Sequence, residues 1–254
     1  MDWEETKQRV TEAMCAHTLR CTTPLTTPTM MDVPVLEGSG NYVVWSEGRP
    51  IVLTCEHVAR TQPIDYRFAG STDVFRHPGP WSSERFPIDA SYATLSRSQW
   101  EATNHESECV GKARFAQRHS MVDPAELLFL RGYAGENAHY FEVHQANASC
   151  YCSQEKANSG DDTHFDLIWE PEHTQVTDGT SAEARADVRF EDPQGISGAL
   201  VWNTRYLEAT RSGREWTPND AVVTGMAHRW DQKAQTLVVL RVEHLRRWLD
   251  SRGA

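Results

Sequence analysis

The sequence predicts an all-β domain, either a barrel or a sandwich, with one helix before the strands and one after them. Short apolar runs separated by turn residues recur from about residue 33 to residue 240. Many short strands of this kind are typical of barrels and sandwiches. Apolar residues at helical spacing occur instead over residues 2–20 and 242–249. A chain of 254 residues can bury the core of one large domain or two small ones.

The first predicted element is the helix over residues 2–20. Asp2 is a capping residue, and Glu5 follows three positions later in capping-box spacing. Val10 and Met14 recur at helical spacing and define a face that we expect to pack on the body of the protein. The Thr-Pro pairs that follow end this helix and favour extended backbone.

The predicted strands follow in order, separated by turns and by three long loops. They cover residues 33–35, 42–45, 51–54, 127–130, 140–143, 166–169, 199–202, 221–224 and 237–240. The segments 76–86, 153–164 and 203–219 are rich in polar, Gly and Pro residues and are predicted as loops. The closing helix places Leu245, Trp248 and Leu249 on one side.

Composition narrows the classes of function. A net charge of −11 argues against nucleic acid as the partner. The start of the chain lacks the basic and apolar regions of a signal peptide, and no apolar run reaches the length of a membrane span. Six cysteines in a chain of this length do not indicate a disulfide framework. We therefore expect a cytoplasmic protein with reduced thiols and no membrane partner.

Three separated segments carry residues suited to nucleophilic catalysis. Residues 53–58 contain His57, residues 87–90 contain Asp89, and residues 192–200 contain Ser197. A nucleophilic serine needs a base to take its proton, and the base needs a carboxylate that fixes its tautomer and stabilises the imidazolium. Together, the three segments predict a serine peptidase.

Ser197 lies between glycines and just before an apolar strand. Gly195 and Gly198 allow a sharp turn and a close approach of a substrate carbonyl. Backbone N–H groups at such a turn can converge on a developing oxyanion, and one such donor typically contributes ~3 kcal/mol to transition-state stabilisation. A plain Gly-Ser turn is the structural alternative.

The other two residues are assigned by chemistry and spacing. Histidine suits general-base catalysis near neutral pH, and His57 follows an apolar strand after the short polar break Thr54-Cys55-Glu56. Asp89 enters an apolar segment, where a buried carboxylate needs a partner such as an imidazole N–H. Asp73 is a rival, but it follows His57 by only 16 residues, which leaves little chain to cross a barrel and return.

With these residues, the chain resembles the trypsin-like, chymotrypsin-fold serine peptidases, especially the bacterial, disulfide-free branch with HtrA-like enzymes. The resemblance covers about residues 33–245. The segments that carry it are Leu53-Thr54-Cys55-Glu56-His57-Val58, Ile88-Asp89-Ala90, Leu130-Arg131-Gly132-Tyr133, Gly195-Ile196-Ser197-Gly198-Ala199 and Val223-Thr224-Gly225-Met226-Ala227.

The resemblance implies a fold of two six-stranded β-barrels with the active site between them. The implied divisions are an N-terminal helix and linker (1–24), a first barrel (25–120) and a second barrel with the C-terminal helix (121–254). Ser197 would attack the peptide bond, His57 would transfer the proton and Asp89 would orient His57. The N–H groups of Gly195 and Ser197 would form the oxyanion hole. The implied function is an intracellular serine endopeptidase, of a kind that sometimes acts in bacterial regulatory or defence systems.

Departures from the family pattern bear on regulation. Ile196 stands where secreted members have an aspartate that receives a new N-terminal amine on zymogen cleavage. Val58 replaces a disulfide-forming cysteine, and Glu56 replaces a small residue. We therefore expect control by loop ordering, by an activating or inhibiting protein partner, or by narrow substrate choice.

Substrate preference is predicted from residues near the nucleophile. Glu191 and Asp192 lie where the pocket floor is expected, and a carboxylate there would favour a basic side chain before the scissile bond. Met226, Ala227 and His228 are the other predicted pocket residues.

Two other classes of function were weighed. A zinc site would need His and Cys ligands, and six such residues lie loosely grouped in the sequence. Their spacing lacks the HExxH and CxxC patterns, so no metal and no cofactor are expected. That cluster comprises His105, Cys109, His139, His144, Cys150 and Cys152. A catalytically inactive scaffold that binds protein is the alternative to the peptidase, because a fold does not fix function.

Overall fold

The computed structural model describes residues 3–28, 34–46, 48–61, 63–77, 79–139, 145–170 and 193–254. Its strands form two antiparallel sheets, one from each half of the chain, with a helix before the first sheet and a helix at the end of the chain. This confirms the predicted mostly-β fold with helices at both ends. Of the predicted strands, 140–143 and residue 33 lie outside the described residues.

The first sheet contains eight strands in the order β5-β4-β1-β2-β3-β7-β6, with β8 parallel to β2. They are β1 (Thr22–Pro28), β2 (Pro34–Val44), β3 (Pro50–Thr54), β4 (Ile64–Tyr66), β5 (Phe75–His77), β6 (Ser82–Glu84), β7 (Ala90–Thr94) and β8 (Val110–Gly111). The resemblance implied six strands in this half of the chain. β6 and part of β5 lie within residues 76–86, which were predicted to form a loop.

The second sheet contains six strands in the order β10-β9-β12-β13-β14-β11, as the resemblance implied. They are β9 (Leu128–His139), β10 (Gln145–Ser153), β11 (His164–Ile168), β12 (Leu200–Asn203), β13 (Val222–Asp231) and β14 (Thr236–Arg241).

The described α-helices are short apart from the first and the last. They are α1 (Trp3–Thr18), α2 (Glu56–Ala59), α3 (Arg97–Ala102), α4 (Tyr206–Arg211) and α5 (Val242–Arg252). α1 packs on β9 and β10 through a face that includes Val10 and Met14. α5 buries the predicted Leu245, Trp248 and Leu249 side. Among the helices of the described residues, none combines the length and apolar character needed to span a bilayer.

The helix α4 corrects the prediction of a loop over 203–219. It forms because the buried carboxylate of Glu126 accepts the N–H groups of Leu207 and Glu208, both at 3.1 Å. Thr204 Oγ1 donates to the same carboxylate at 3.2 Å. These contacts satisfy N–H groups that the first turn of a helix leaves unpaired. The partner is 81 residues away in sequence from Leu207, so local composition could not reveal it.

One hydrophobic cluster joins the two sheets. It includes Tyr42 and Leu53 of the first sheet and Phe129 and Met226 of the second, all fully buried. The strand ends that carry the predicted site residues lie against each other at this junction: the N–H of Ser39 in β2 donates to the carbonyl of Ser197 at 2.9 Å.

Candidate active site

Three local structures place the predicted catalytic residues at the junction of the sheets. His57 lies in α2, directly after β3. Asp89 is the last residue before β7, which pairs with β3. Ser197 lies in the turns that lead into β12 of the second sheet.

His57 and Asp89 form a two-point contact. His57 Nδ1 lies 2.7 Å from Asp89 Oδ2, and the backbone N–H of His57 donates to Asp89 Oδ1 at 3.0 Å. Both oxygens of one carboxylate therefore hold one residue, and the ring nitrogen Nε2 is not used in this contact. The rival Asp73 is an exposed residue whose N–H pairs with Ser71.

The backbone and the charge state of Asp89 both suit this contact. Asp89 has a φ of 42°, a left-handed conformation that aspartate adopts more readily than most residues. Burial by itself raises the pKa of the Asp89 carboxyl, but the hydrogen bonds and charge of His57 outweigh burial and lower it. The carboxylate is therefore ionised near neutral pH.

The Ser197 hydroxyl points to a different neighbour. Ser197 Oγ donates to the backbone carbonyl of His228 at 2.6 Å. The pairing of β13 with β14 shifts register between Ala227 and Arg229, so that His228 forms a bulge. A bulge redirects the groups of a strand beside a site, and here His228 presents its carbonyl to Ser197.

Two consecutive turns shape the backbone around Ser197. The N–H of Ile196 donates to the Pro193 carbonyl at 3.0 Å, with Gly195 at a φ of 101°. The N–H of Ala199 donates to the Ile196 carbonyl at 2.9 Å, with Gly198 at a φ of 93°. Both positions need the left-handed region that glycine occupies without strain.

The predicted oxyanion hole depends on the peptide between Gln194 and Gly195. The Gln194 carbonyl accepts the N–H of Gly135 in β9 at 2.7 Å. Because the carbonyl and the N–H of a peptide point in opposite directions, this bond turns the Gly195 N–H away from β9. Within the described residues, neither the Gly195 nor the Ser197 N–H donates to a protein group.

Ser39 is a site residue that the sequence reasoning missed. Its Oγ donates to the Gly195 carbonyl and accepts the N–H of Tyr133, both at 2.8 Å. Its carbonyl accepts Thr54 Oγ1, also at 2.8 Å. Ser39 lies between the predicted strands 33–35 and 42–45, where a turn is expected, but β2 runs through it, and Ser39 is fully buried. A polar residue between glycines next to an apolar strand was the available signal.

The predicted pocket residues fall into two groups. Met226, Ala227 and His228 are buried in β13. Ala227 is hydrogen-bonded to the turn that carries Ser197, since its carbonyl accepts the Gly198 N–H and its N–H donates to the Ala199 carbonyl, both at 2.8 Å. Glu191 and Asp192 lie outside the described residues, so the preference for a basic substrate stays a prediction.

A buried group behind Asp89 was not foreseen. Ligand-type atoms of Cys55, Asp89 and His228 lie within 4.8 Å of one another. Burial lowers the pKa of His228 to about 3, so the ring is neutral near neutral pH. Cys55 Sγ donates to the Ala227 carbonyl at 3.3 Å. Cys55 and His228 are thus two uncharged neighbours of the Asp89 carboxylate.

Two of the residues considered as zinc ligands make other contacts. Cys150 Sγ lies 3.3 Å from Arg131 Nη1, a fixed cation that opposes a metal ion at this sulfur. His105 Nε2 pairs with the Trp100 carbonyl at 2.9 Å. His144 and the side chain of His139 lie outside the described residues.

Glu56, the unexpected residue before His57, has a local partner. Glu56 is 5% exposed, and its carboxylate accepts Arg60 Nε on both oxygens, at 2.8 and 2.9 Å. An Arg-carboxylate pair one helical turn apart explains how α2 accommodates a buried charge.

Comparison with solved structures identifies the fold. The Rv3671c protease of M. tuberculosis in its active form is 15% identical over 97% of this chain and 86% of that chain, with a TM-score of 0.54. A serine endoprotease from Yersinia pestis is 11% identical over 95% of this chain and 65% of that chain, with a TM-score of 0.53. The scabies mite inactivated protease paralogue SMIPP-S-I1 is 12% identical over 92% of this chain and 94% of that chain, with a TM-score of 0.52.

No protein-family model and no curated protein sequence matches this chain. At 11–15% identity the likeness establishes the fold. The chain has the two-barrel, chymotrypsin-like fold of trypsin-like serine protease domains, as the sequence motifs predicted.

Proposed function

We propose that this chain is a serine endopeptidase that cleaves peptide bonds through Ser197, His57 and Asp89. The observation that carries the proposal is the 2.7 Å contact between His57 Nδ1 and Asp89 Oδ2. The turn that holds Ser197 adds the N–H groups of Gly195 and Ser197, which have no protein acceptor among the described residues. A chymotrypsin-like fold supports this reading but does not by itself fix the chemistry.

Acylation follows from the positions of these groups. His57 donates its Nδ1–H to Asp89, so its Nε2 carries the lone pair that accepts the proton of Ser197 Oγ. The oxygen attacks the peptide carbonyl, and the charge that develops on the carbonyl oxygen is bound by the N–H groups of Gly195 and Ser197. The imidazolium then gives its proton to the leaving amine as the C–N bond breaks.

Deacylation uses the same groups with water as the nucleophile. His57 takes a proton from water, the hydroxide oxygen attacks the acyl carbon, and the same two N–H groups bind the oxyanion. The proton returns to Ser197 Oγ as the ester bond breaks, which releases the carboxylic acid and restores the enzyme.

One movement is required before attack. Ser197 must exchange its hydrogen bond to the His228 carbonyl for one to His57, a rotation about its Cα–Cβ bond. A neutral hydrogen bond contributes a net ~0.5–1.5 kcal/mol. Bound substrate can offset this cost, since catalytic hydrogen bonds often tighten only in the substrate complex.

A catalytically inactive scaffold that binds protein is the second candidate. The direction of the Ser197 hydroxyl favours it, because the described hydrogen bond leads to the His228 carbonyl and not to the His57 ring. One structure of similar fold belongs to an inactivated protease paralogue.

A fluorophosphonate probe separates the two candidates, since it phosphonylates serines that a base activates. The peptidase predicts one adduct, located on Ser197 by peptide mapping, that is absent from Ser197→Ala and strongly reduced in His57→Ala. An unlabelled chain with unchanged thermal stability supports the scaffold.

For regulation, we propose control other than zymogen cleavage. Ile196 is 1% exposed and offers no carboxylate to a new N-terminal amine. Loop ordering, a protein partner or a narrow peptide specificity then provides the restraint. The test is whether trimming of the N-terminus leaves peptidase activity per molecule unchanged.

A further inference from the structure

Two cysteine thiols meet where α1 packs on the second sheet. Cys15 of α1 and Cys150 of β10 are hydrogen-bonded to each other through their side chains. Arg131 of β9 lies directly across the sheet from Cys150 and places its Nη1 3.3 Å from Cys150 Sγ. The same Nη1 donates to the Cys15 carbonyl at 3.3 Å, and Arg131 Nε donates to Thr22 Oγ1 at 3.2 Å. The guanidinium is therefore fixed beside the thiol pair.

The two cysteines of this thiol pair have different chemical characters. The Cys15 hydrogen bond and the neighbouring Arg131 hold the pKa of Cys150 below its ordinary value despite burial. The hydrogen bond to Cys150 and burial raise the pKa of Cys15. Cys150 is thus the thiolate-forming member, stabilised by a cation as reactive thiols are, and Cys15 remains a protonated donor beside it.

We propose that Cys150 and Cys15 are a peroxide-reactive thiol pair that closes into a disulfide linking α1 to the second sheet. The Cys150 thiolate attacks one oxygen of hydrogen peroxide, so that an S–O bond forms, the O–O bond breaks and the departing hydroxide takes up a proton to become water. Cys15 then loses its proton and attacks the Cys150 sulfur, which forms the S–S bond and releases a second water. The two thiols lose two electrons, and the peroxide gains them.

The other cysteines serve as internal controls. Burial raises the pKa of Cys152 and of Cys109 to about 12, and that of Cys21 to about 11. Cys55 is fully buried and bonded to a backbone carbonyl. Cys152 is the best match for Cys150, because it lies two residues away in the same strand and is likewise partly exposed. It differs in that its contacts do not include the Arg131 guanidinium.

The first test measures reactivity in the full-length reduced protein with limiting iodoacetamide at neutral pH and quantitative peptide mapping. We expect Cys150 to be alkylated at least about 10-fold faster than Cys152, as a stabilised thiolate should be. Arg131→Gln should remove most of this difference, and Arg131→Lys, which retains the charge and guards against loss of folding, should keep part of it. Equal rates at Cys150 and Cys152 in the unmodified chain would overturn the proposal.

The second test identifies the oxidised product. Hydrogen peroxide followed by non-reducing peptide mapping should yield a Cys15–Cys150 cross-linked peptide. Cys15→Ser should instead leave a sulfenic acid on Cys150 that dimedone traps, and Cys152→Ser should form the disulfide as before. Oxidation confined to other cysteines, or a Cys21–Cys109 disulfide in its place, contradicts the proposal. Neither readout depends on peptidase activity.

Discussion

The hydroxyl of Ser197 donates to the carbonyl of His228, 2.6 Å away. His57 Nδ1 lies 2.7 Å from Asp89 Oδ2. In the proposed peptidase, the base is therefore oriented before substrate arrives, and the Ser197 hydroxyl must leave the His228 carbonyl to reach it.

Asp89→Asn should lower kcat by about 10³–10⁴-fold. An amide matches the shape of the carboxylate but does not balance the imidazolium charge and favours the wrong histidine tautomer. Asp65→Asn is the matched control, because Asp65 is a buried carboxylate that pairs with Arg76 at 2.8 Å in the first sheet. The control should lose stability while keeping kcat within about twofold. Steady-state kinetics with one peptide substrate measures both, and similar kcat values for the two variants would contradict the assignment of Asp89.

Gly195→Ala should lower kcat by about 10²–10³-fold, the effect of losing an oxyanion donor. A Cβ here would lie 2.6 Å from the Tyr133 carbonyl oxygen and 2.7 Å from Leu36 Cδ2, at a φ of 101°. The turn must shift, and the Gly195 N–H must shift with it. Gly213→Ala is the control, since Gly213 has a φ of 72° but open space around its Cβ position. Comparable losses of kcat in both variants would show that backbone strain, and not the oxyanion site, is responsible.

Ser39→Ala should lower kcat by about 10–100-fold with a smaller effect on KM. The substitution leaves the Tyr133 N–H and the Gly195 carbonyl unpaired in a buried site, at ~1–3 kcal/mol per group. The control is Ser107→Ala, which removes the acceptor of the Ala69 N–H in the first sheet's half of the chain. Both variants should melt at lower temperature, but a loss of kcat is expected for Ser39 alone. Unchanged kcat in Ser39→Ala would remove Ser39 from the positioning network.

His228→Asn should flatten the dependence of stability on pH in mild acid. Burial lowers the pKa of His228 from 6.5 to about 3, so between those pH values the unfolded chain holds a proton that the folded chain lacks. Folding stability therefore falls as pH falls through this window, with a slope approaching ~1.4 kcal/mol per pH unit. The asparagine variant lacks this contribution. Urea unfolding between pH ~4 and ~6 gives both slopes, and equal slopes would contradict a buried, neutral His228.

Much of the fold and the candidate catalytic residues could be predicted from local sequence. Strand-turn patterns are local, and the segments around His57 and Ser197 show the residues that each role requires. The α5 face with Leu245 and Trp248 follows from helical spacing alone. The assignment of Asp89 rested on order and chain length, and its contact with His57 became visible only in three dimensions.

The remaining features depend on partners distant in sequence. α4 needs Glu126, and Ser39 gains its role from Gly195, 156 residues away. The Ser197 hydrogen bond requires a bulge at His228 that displaces one carbonyl. No periodicity in the chain encodes such contacts, because each joins segments that only the tertiary fold brings together.

Peptide-bond cleavage by Ser197 can be measured with a peptide library read by mass spectrometry. Wild-type protein and Ser197→Ala are incubated with the same mixed peptides, and new internal termini are counted over time. The account predicts internal cleavages by the wild type that are absent from the variant. Cleavage by neither protein, or the same cleavages by both, would contradict it.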